Sequence, residues 1–541
     1  MVLIIDNNNE STHNIVHAIK KYSRHDVFLA QEESIDLEQV KVLEPEILIF
    51  ASLSFPKMRD EGKNILARLK EIVDYYAHKK LLLGIDSGFL FLAYCFGAKI
   101  KAVEKIEQAL VKEIKLDGRG LFRSIGNKAN FVLYNCFYIE EESLSKDFEI
   151  TAKTNEGQIM GFRHKTMPIE AVLFHPESYA SEYEKQFFVS VLNYRREALP
   201  VQEIVTRLCA GEDLDRLSAE IFMEDLTDGC LDERQTAAIL TALTAKGPSE
   251  EEIAGCAAVL YRKKAPLEIG TRELTDIVGT GGDSKGSFNI SSMAALLASS
   301  CDLAIAKHGN RAVSSKSGSA DFYEALGIKI DTSAEHTARA IKKTHFGFLF
   351  APLYHAAMKH AAPVRRAIGI KTIMNLIGPL SNPAGAAYQM LGVYDLSLLA
   401  PVARASKLLG AKRVMVVCSL DGFDEISPCE KTAVFEIDED GNEKNYFLDP
   451  KDFEIENCDA KELDGGTAEE NALLAFDLME GRGLKAIVEA VSLNAGAALY
   501  IGKKAGSIEE GYRMAKEAIV SGRLKEKVKE IQEETNAKES A

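Results

Sequence analysis

The amino-acid sequence predicts an α/β protein in which a small helical segment separates two α/β parts. In the first third, short β-rich runs such as residues 2–5 and 81–85 alternate with amphipathic helical stretches. Between residues 201 and 264 only helical periodicity recurs, and the β/α alternation returns after residue 274. A chain of 541 residues is long enough for such a multidomain arrangement.

We predict four segments along the chain. The strand pattern stops near residue 194, where a first α/β domain (residues 1–194) gives way to a linker (residues 195–200). Glycines then separate the short helices of a small helical domain at residues 201–270. A second α/β domain at residues 271–541 completes the chain, and its Lys- and Glu-rich tail is typical of a solvated last helix.

Composition restricts the classes of function. Asp and Glu number 81 against 65 Lys and Arg, and the net charge of −16 argues against a general binder of nucleic acid or anionic membranes. The nine cysteines form no C-x-x-C pair, which indicates a reducing cytoplasm and no structural zinc. The first residues lack the basic region of a signal peptide and no long apolar run occurs, so we expect a soluble, cytoplasmic protein.

A glycine-rich loop follows the first strand of the second α/β part. The strand at residues 276–278 leads into Gly279-Thr-Gly-Gly-Asp-Ser-Lys-Gly-Ser-Phe-Asn-Ile-Ser-Ser292, and a helical run begins at once. Glycines let backbone N–H groups approach phosphate oxygens, and a helix N-terminus favours negative charge. The spacing is that of neither a P-loop nor a Rossmann site. We therefore predict an anion site here, with a plain turn as the alternative.

A basic loop follows the next strand. Residues 307–321 bring Lys307, Arg311 and Lys316 among small hydroxyl side chains, and this local excess of cations calls for an anion. A solvated basic loop is the alternative. Loops at the ends of consecutive strands converge on one crevice, so we expect the glycine-rich and basic loops to meet.

Two further groups of charged residues have the chemistry of ligand sites. Asp424 and Glu425 follow an apolar strand and offer hard oxygen ligands of the kind that Mg²⁺ prefers, although an exposed acidic turn is the alternative. Arg365 and Arg366 lie beside an apolar helix and could grip a carboxylate, although they could equally belong to a solvated helix face.

Residues 200–535 resemble the anthranilate phosphoribosyltransferase family. The motifs that carry the resemblance are Gly279-Thr-Gly-Gly-Asp283, Phe288-Asn-Ile-Ser291, Lys307-His-Gly-Asn-Arg311, Ser317-Gly-Ser-Ala-Asp321 and Asn375-x-x-Gly-Pro-Leu-x-Asn-Pro383. The resemblance implies a homodimer in which a small helical domain is hinged to a nucleoside phosphorylase-like α/β domain. It also implies transfer of phosphoribosyl from 5-phosphoribosyl-1-pyrophosphate (PRPP) to the amine of anthranilate, with release of pyrophosphate, in tryptophan biosynthesis.

The resemblance also implies roles for individual residues. Those expected to bind PRPP are Gly279, Thr280, Gly281, Gly282, Asp283, Asn289, Ser291, Ser292, Lys307 and Ser319. Those expected to bind anthranilate are Gly279, Asn310 and Arg365, and those expected to bind Mg²⁺ are Ser291, Asp424 and Glu425. Lys307, Asp424 and Glu425 are the expected catalytic groups.

The sequence departs from the family pattern at two positions within one motif. Lys371 and Met374 stand where the family usually has Arg and Phe. The related pyrimidine nucleoside phosphorylase is the alternative enzyme, but that family lacks the signature at residues 375–383.

Residues 1–194 resemble the class I glutamine amidotransferase subunit of anthranilate synthase. The motifs are Ile4-Ile-Asp-Asn7, Gly84-Ile-Asp-Ser-Gly88 and Phe174-His-Pro-Glu177, and they imply the open sheet of that family. In the family a cysteine lies at the centre of G-x-C-x-G, on a sharp strand-to-helix turn. Here Asp86 occupies that position. Attack of a carboxylate on an amide would have to form a mixed anhydride, which is far less favourable than a thioester.

Other parts of the amidotransferase site are also changed. The glycine-rich oxyanion loop is replaced by residues 52–55, and its side chains should block approach to an oxyanion. Ser87 and Cys95 lie off the nucleophile position, and His175 and Glu177 are left without a partner. We therefore expect no glutamine hydrolysis and a vestigial or docking domain. The alternative is a subunit that still supports the large subunit of anthranilate synthase, which would then use free ammonia.

Overall fold

The computed structural model describes residues 1–23, 25–55, 63–195, 197, 199–271, 273–281, 286–312, 316–456 and 458–537, except the side chains of residues 104–109, 135 and 357. The chain divides into two compact units. The first contains Met1–Pro200 and Asp228–Cys230, and the second contains Val201–Thr227 and Leu231–Ala541.

The first unit is built on a nine-stranded sheet of order β2-β1-β3-β4-β9-β8-β7-β5-β6. The strands are β1 Val2–Asp6, β2 Val27–Gln31, β3 Ile47–Ala51, β4 Leu81–Ile85, β5 Ile100–Leu116, β6 Lys128–Ile139, β7 Phe148–Thr154, β8 Ile159–His164 and β9 Ile169–Val172. The half from β2 to β9 is parallel, and the remaining pairs are antiparallel. Strands β1, β3 and β4 are buried throughout, as expected for parallel strands covered on both faces.

Helices of the first unit lie between the early strands of the chain and after its last strand. They are α1 Glu10–Tyr22, α2 Leu37–Leu43, α3 Lys63–Tyr76, α4 Ser87–Cys95 and α5 Glu184–Leu192, with short 3₁₀ helices at Gly120–Phe122 and Glu141–Ser143. Helix α4 begins directly after β4, so the connection between them is a sharp turn at Asp86.

The second unit begins with four helices and continues as an α/β domain. The first four are α6 Val201–Cys209, α7 Arg216–Asp228, α8 Glu233–Lys246 and α9 Glu250–Arg262. The later helices are α10 Ile290–Ser299, α11 Ser319–Ala325, α12 Ala334–Thr344, α13 Ala351–Tyr354, α14 Ala362–Ile368, α15 Ile373–Leu380, α16 Leu399–Leu408, α17 Ala468–Met479, α18 Lys485–Ile501, α19 Ile508–Val520 and α20 Arg523–Asn536. Short 3₁₀ helices lie at Ala356–His360, Leu396–Leu398, Pro450–Phe453 and Ala460–Leu463.

A seven-stranded sheet of order β12-β11-β10-β13-β14-β15-β16 forms the centre of the second unit. Its strands are β10 Thr275–Gly279, β11 Ile305–Gly309, β12 Phe346–Phe350, β13 Tyr388–Gly392, β14 Arg413–Ser419, β15 Thr432–Ile437 and β16 Glu443–Leu448. The strands from β12 to β14 are parallel, and β15 and β16 run antiparallel. The chain moves from β10 outward to β12 and returns to the other side of β10 as β13, so the strand order reverses between β10 and β13.

The predicted fold class is confirmed: two α/β sheets are separated along the chain by a run of helices. Within the part of the chain that the structure describes, no helix has the length and apolar character needed to cross a membrane. No disulfide joins the nine cysteines, all of which are described.

Candidate functional site

The site of the second unit lies where the strand order reverses. Gly279 at the end of β10 pairs in register with Gly392 at the end of β13. Open α/β sheets bind ligands at such a switch point, beyond the carboxyl ends of the strands. The chain after β14 passes close by: a Cβ at Gly279 would run into the Asp424 carboxylate, and one at Gly392 into the Asp424 backbone. Both positions therefore need glycine for this close approach.

The two neighbouring carboxylates expected to bind metal are held by the glycine-rich loop. Asp424 accepts a hydrogen bond from the N–H of Gly281 (2.8 Å), and Glu425 accepts one from the N–H of Ser291 (3.0 Å). Both carboxyl residues are buried. The loop N–H groups thus face anionic oxygens, as the sequence predicts, but these oxygens belong to the chain itself.

A residue that sequence reasoning missed anchors the acidic segment. Asn494 of α18 accepts a hydrogen bond from the N–H of Ile426 (3.0 Å) and donates one to the Ile426 carbonyl (2.9 Å). Asp421, in contrast, accepts hydrogen bonds from the hydroxyls of Ser419 and Ser427. Asp421 therefore closes the turn, whereas Asp424 and Glu425 lie at the crevice.

The donor set at the crevice fits Mg²⁺. Asp424 and Glu425 supply hard carboxylate oxygens, and within the described residues no cluster of three or more His, Cys, Asp or Glu side chains forms. Mg²⁺ suits such a site, because it usually keeps several waters and binds through one or two carboxylates plus substrate phosphates.

Lys307 is buried at the start of the basic loop, on β11. Only 1% of the residue is exposed, and its Nζ donates a hydrogen bond to the Ile277 carbonyl (2.5 Å). Burial lowers the pKa of this ammonium group, and the negative charges of Asp276, Glu425 and Asp424 oppose that change. The lysine thus donates to a neutral carbonyl, and no carboxylate of a described residue forms an ion pair with it.

A buried carboxylate and amide lie beneath Lys307. Asp276 accepts hydrogen bonds from the N–H of His308 (3.2 Å) and from the Asn382 side chain (2.7 Å). Asn382 also donates to the Ala306 carbonyl (2.8 Å). Burial raises the pKa of Asp276 to about 6, although the charge of Lys307 opposes the increase. Asn382 belongs to the motif at residues 375–383, but the sequence assigned neither residue a role, because their contact joins positions that are 106 residues apart.

The structure joins the glycine-rich and basic loops. The Ser317 hydroxyl donates to the Asn289 side chain (3.0 Å), which also accepts a hydrogen bond from Asn471 (2.8 Å). Ser319 donates to the Asn310 carbonyl (3.3 Å), and the side chain of the exposed Asn310 accepts from the N–H of Arg311 (2.8 Å).

One of the three cations of the basic loop, Arg311, is paired within the chain. Its guanidinium forms ion pairs with Asp321 (3.0 Å) and Glu324 (2.5 Å) of helix α11. The local excess of cations is therefore partly neutralised within the loop, while Lys316 stays exposed.

The remaining residues expected to bind PRPP are placed as follows. Thr280 is buried and its N–H donates to the Gly392 carbonyl (2.8 Å). Ser292 is buried as well, and its carbonyl accepts a hydrogen bond from the Tyr323 hydroxyl (2.9 Å). Gly282 and Asp283 lie outside the described residues.

Arg365 has the environment expected of a carboxylate-binding arginine. It lies on α14 and is half-buried, and its guanidinium forms no hydrogen bond or ion pair with a described residue. Burial alone lowers the pKa of its guanidinium. Arg366 on the same helix is exposed. At the two positions that depart from the family pattern, Lys371 lies 3.9 Å from the ring centre of Tyr394 and Met374 is buried.

The first unit keeps the geometry of a nucleophile turn. Asp86 between β4 and α4 has φ 56° and ψ −119°, a conformation that is costly for any residue other than glycine. The turn is tight on both sides, since a Cβ at Gly84 would run into the backbone of Gly88, and one at Gly88 into that of Phe50. The strained turn is therefore present although aspartate, and not cysteine, lies at its centre.

His175 is not left without a partner, which corrects the expectation from the sequence. Its Nδ1 lies 2.8 Å from the Glu177 carboxylate and its Nε2 lies 3.6 Å from that of Asp86. Burial by itself would lower the pKa of His175, but the two carboxylates outweigh it and raise the pKa to about 10. The imidazole is therefore protonated at neutral pH and cannot take a proton from a nucleophile.

The loop at residues 52–55, which would hold an oxyanion, has a backbone N–H group bonded to another part of the chain and a bulky side chain packed beside it. The N–H of Ser54 donates to the buried Glu32 carboxylate (3.0 Å). The Phe55 ring is buried against Tyr94, with ring centres 5.4 Å apart. Burial raises the pKa of the Cys95 thiol to about 12, so this cysteine is no substitute nucleophile.

Comparison with protein families matches all three parts of the chain. Residues 3–192 match the family described as glutamine amidotransferase class-I. Residues 202–263 match the helical bundle domain of a glycosyl transferase family, and residues 271–524 match the a/b domain of that family.

Similar proteins and structures agree with these matches. The chain is 32% identical to the bifunctional protein TrpGD of Thermotoga maritima over 98% of its own length and 90% of that protein's. It is 44% identical to an anthranilate phosphoribosyltransferase of Desulfatibacillum aliphaticivorans over 59% of this chain and 94% of the relative.

Among solved structures, an anthranilate phosphoribosyltransferase (TrpD) from Thermus thermophilus aligns with a TM-score of 0.58 and 40% identity, covering 62% of this chain and 99% of that one. The Saccharomyces cerevisiae enzyme in complex with PRPP and Mg aligns with a TM-score of 0.56 and 26% identity, covering 62% of this chain and 97% of that one.

Proposed function

This chain belongs to the family of bifunctional TrpGD proteins, its second unit is an anthranilate phosphoribosyltransferase of tryptophan biosynthesis, and we propose that Lys307, Asp424 and Glu425 carry the chemistry. The observation that carries this assignment is the convergence of the three groups on one crevice. Lys307 is buried against a carbonyl there, and the two carboxylates are held by N–H groups of the glycine-rich loop.

The reaction in this proposal is a displacement at C1 of the ribose of PRPP. The amine nitrogen of anthranilate forms the new bond to C1 as the bond from C1 to pyrophosphate breaks, and the bonding electron pair leaves with pyrophosphate. The Lys307 ammonium neutralises part of the charge that develops on the leaving group. An aromatic amine is neutral at pH 7, so attack needs no base to activate it, and its proton passes to solvent after the bond has formed.

Mg²⁺ fits this crevice as a cofactor bound together with PRPP. Asp424 and Glu425, helped by Ser291, would hold the ion, and it would supply positive charge to the pyrophosphate. The N–H groups of Gly281 and Ser291 keep both carboxylates beside the phosphate loop before the ligand arrives. The crevice is therefore organised in advance for a phosphate-bound cation.

Two loops would hold the two substrates. PRPP would contact the residues from Gly279 to Asp283, together with Asn289, Ser291, Ser292 and Ser319. Anthranilate would lie near Gly279 and Asn310, and Arg365 would pair with its carboxylate. A half-buried guanidinium without a partner among the described residues gains most from such a bidentate pair.

For the first unit, we propose a domain that has lost glutamine hydrolysis. The nucleophile position holds a carboxylate, the histidine is kept protonated between two carboxylates, and the oxyanion loop donates its Ser54 N–H to Glu32. The unit would remain as a vestigial domain or as a docking domain for the large subunit of anthranilate synthase, which would then use ammonia. We also propose a cytoplasmic homodimer, whose size sedimentation would measure.

An assay of the full chain tests the transferase assignment. Anthranilate fluorescence should fall only when PRPP and Mg²⁺ are both present, and a folded protein that consumes no anthranilate would contradict the proposal. For the first unit, glutamate release from glutamine should be absent both in the natural chain and in Asp86→Cys. Hydrolysis by Asp86→Cys would show that the rest of the amidotransferase site is intact.

A further inference from the structure

Asp276 and Asn382 form a buried polar pair beneath the crevice, and neither is among the residues expected to touch a substrate. Asp276 is completely inaccessible and 2% of Asn382 is exposed. A 2.7 Å hydrogen bond joins them although they are 106 positions apart in the chain. Burying a carboxylate is costly unless its oxygens are hydrogen-bonded, so the pair calls for an explanation beyond packing.

The hydrogen bonds of this pair reach the backbone on both sides of Lys307. Asn382 donates to the carbonyl of Ala306 (2.8 Å), and Asp276 accepts the N–H of His308 (3.2 Å). These two residues are the chain neighbours of Lys307 on β11. The pair therefore fixes the backbone on both sides of the lysine.

Asp276 also lies next to the group that binds the Lys307 side chain. Lys307 sends its Nζ to the carbonyl of Ile277, the residue directly after Asp276 on β10. The Asp276 carboxylate thus binds the backbone of β11 next to Lys307. Asp276 also precedes Ile277, whose carbonyl accepts the hydrogen bond from the lysine. Asp276 is also the foremost of the nearby negative charges that oppose the effect of burial on the pKa of Lys307.

We propose that Asp276 and Asn382 are positioning residues for phosphoribosyl transfer, which set the place of Lys307 and so the binding of the pyrophosphate-bearing substrate. Asn382 closes the segment that begins with Arg365 and runs through helix α15. The inference rests on the proposed role of Lys307.

The test uses Asn382→Ala and Asp276→Asn in the full chain. Because Lys307 would lose its fixed place, kcat/KM for PRPP should fall about 10²-fold, mainly through a higher KM for PRPP. The KM for anthranilate should stay within about twofold of the natural value. Titration calorimetry of PRPP with Mg²⁺ should give the same loss of affinity without any turnover.

The chain offers a matched control in the neighbouring strand. Gln389 of β13 is the register partner of Asp276, and its side chain accepts a 2.6 Å hydrogen bond from the buried Ser406. Ser406→Ala removes a buried hydrogen bond of the same kind without touching Lys307. It should leave the KM for PRPP unchanged, and thermal unfolding of all variants shows which of them are folded.

A swapped pair separates positioning from general stability. The double variant with Asp276→Asn and Asn382→Asp restores the hydrogen bond between the two side chains and keeps an acceptor for His308, but a carboxylate at position 382 cannot donate to the Ala306 carbonyl. It should recover part of the PRPP affinity lost in the single variants.

Folded single variants with a natural KM for PRPP would overturn the proposal, as would equal losses for both substrates. A natural chain that consumes no anthranilate would instead contradict the proposed function, so the two failures are distinguishable.

Discussion

Both units bury a basic group near carboxylates, but the basic groups have different hydrogen-bond partners. In the first unit His175 contacts the Asp86 and Glu177 carboxylates directly, at 3.6 and 2.8 Å. In the second, the Lys307 ammonium group donates to the carbonyl of Ile277. A charge in a direct ion pair is less available to a ligand than a charge whose hydrogen bond goes to a neutral backbone group.

The difference also concerns the backbone. The first unit keeps a strained turn at Asp86, with a positive φ that a non-glycine residue adopts at a cost of about 1–3 kcal/mol. In the second unit, glycines at 279 and 392 allow the acidic segment to approach without such strain. The first unit thus keeps the geometry of a nucleophile turn, with a carboxylate at the nucleophile position.

Removing the charge of Lys307 should give the largest loss of activity. Lys307→Met keeps much of the side-chain volume but removes the charge, and we expect kcat/KM for PRPP to fall about 10²–10³-fold. Steady-state kinetics with varied PRPP measures the loss. Lys316→Met, at an exposed position of the same loop, is the control and should retain activity. Natural activity in Lys307→Met would contradict the proposed role of Lys307 and with it the difference drawn between the two units.

Changing Asp424, which we propose binds Mg²⁺, should be nearly as severe. Asp424→Asn should lower activity about 10²-fold and raise the Mg²⁺ concentration needed for half-maximal rate, because an amide binds Mg²⁺ weakly. Asp421→Asn is the matched control, since its carboxylate serves the hydroxyls of Ser419 and Ser427. An unchanged Mg²⁺ dependence in Asp424→Asn would count against the metal role.

The anthranilate contact should show a smaller and more selective effect. Arg365→Lys keeps the charge but loses bidentate geometry, so we expect the KM for anthranilate to rise about tenfold while that for PRPP is unchanged. Arg366→Lys on the exposed side of the same helix should have no effect. Equal changes in both KM values would indicate a general disturbance of helix α14.

Removing the Asp86 charge beside His175 in the first unit should change stability but not transferase activity. The folded pKa of His175, about 10, lies above the ordinary value of 6.5. Its stabilising contribution is therefore fully present below pH 6.5 and is lost as the pH rises through 10. Asp86→Asn should cost about 1–3 kcal/mol at pH 7 and less at pH 10.

Scanning calorimetry of the full chain at the two pH values measures this loss. Asp74→Asn, which breaks an exposed ion pair with Lys70 in the same unit, should cost about 0–1 kcal/mol and serves as the control. Transferase activity should be natural in both variants. A cost for Asp86→Asn that is the same at both pH values would contradict the assigned charge of His175.

Much of this molecule could be predicted from local sequence, and the fold class and family are confirmed. Alternating apolar runs and glycine-rich strand ends are local signals, and they located the segments that contain Lys307, Asp424 and Glu425. The pairing of Arg311 with Glu324 and the contacts of His175 were missed, because each depends on where distant side chains point after folding. Asp276, Asn382 and Asn494 were missed for the same reason.

We propose that one chain joins a working transferase to an amidotransferase-like unit without hydrolytic activity. The most direct test measures both reactions on one preparation, as loss of anthranilate fluorescence with PRPP and Mg²⁺ and as release of glutamate from glutamine. We predict anthranilate consumption that requires PRPP and Mg²⁺, with glutamate release no faster than without protein. Glutamate release by the natural chain, or a folded chain that consumes no anthranilate, would contradict the account.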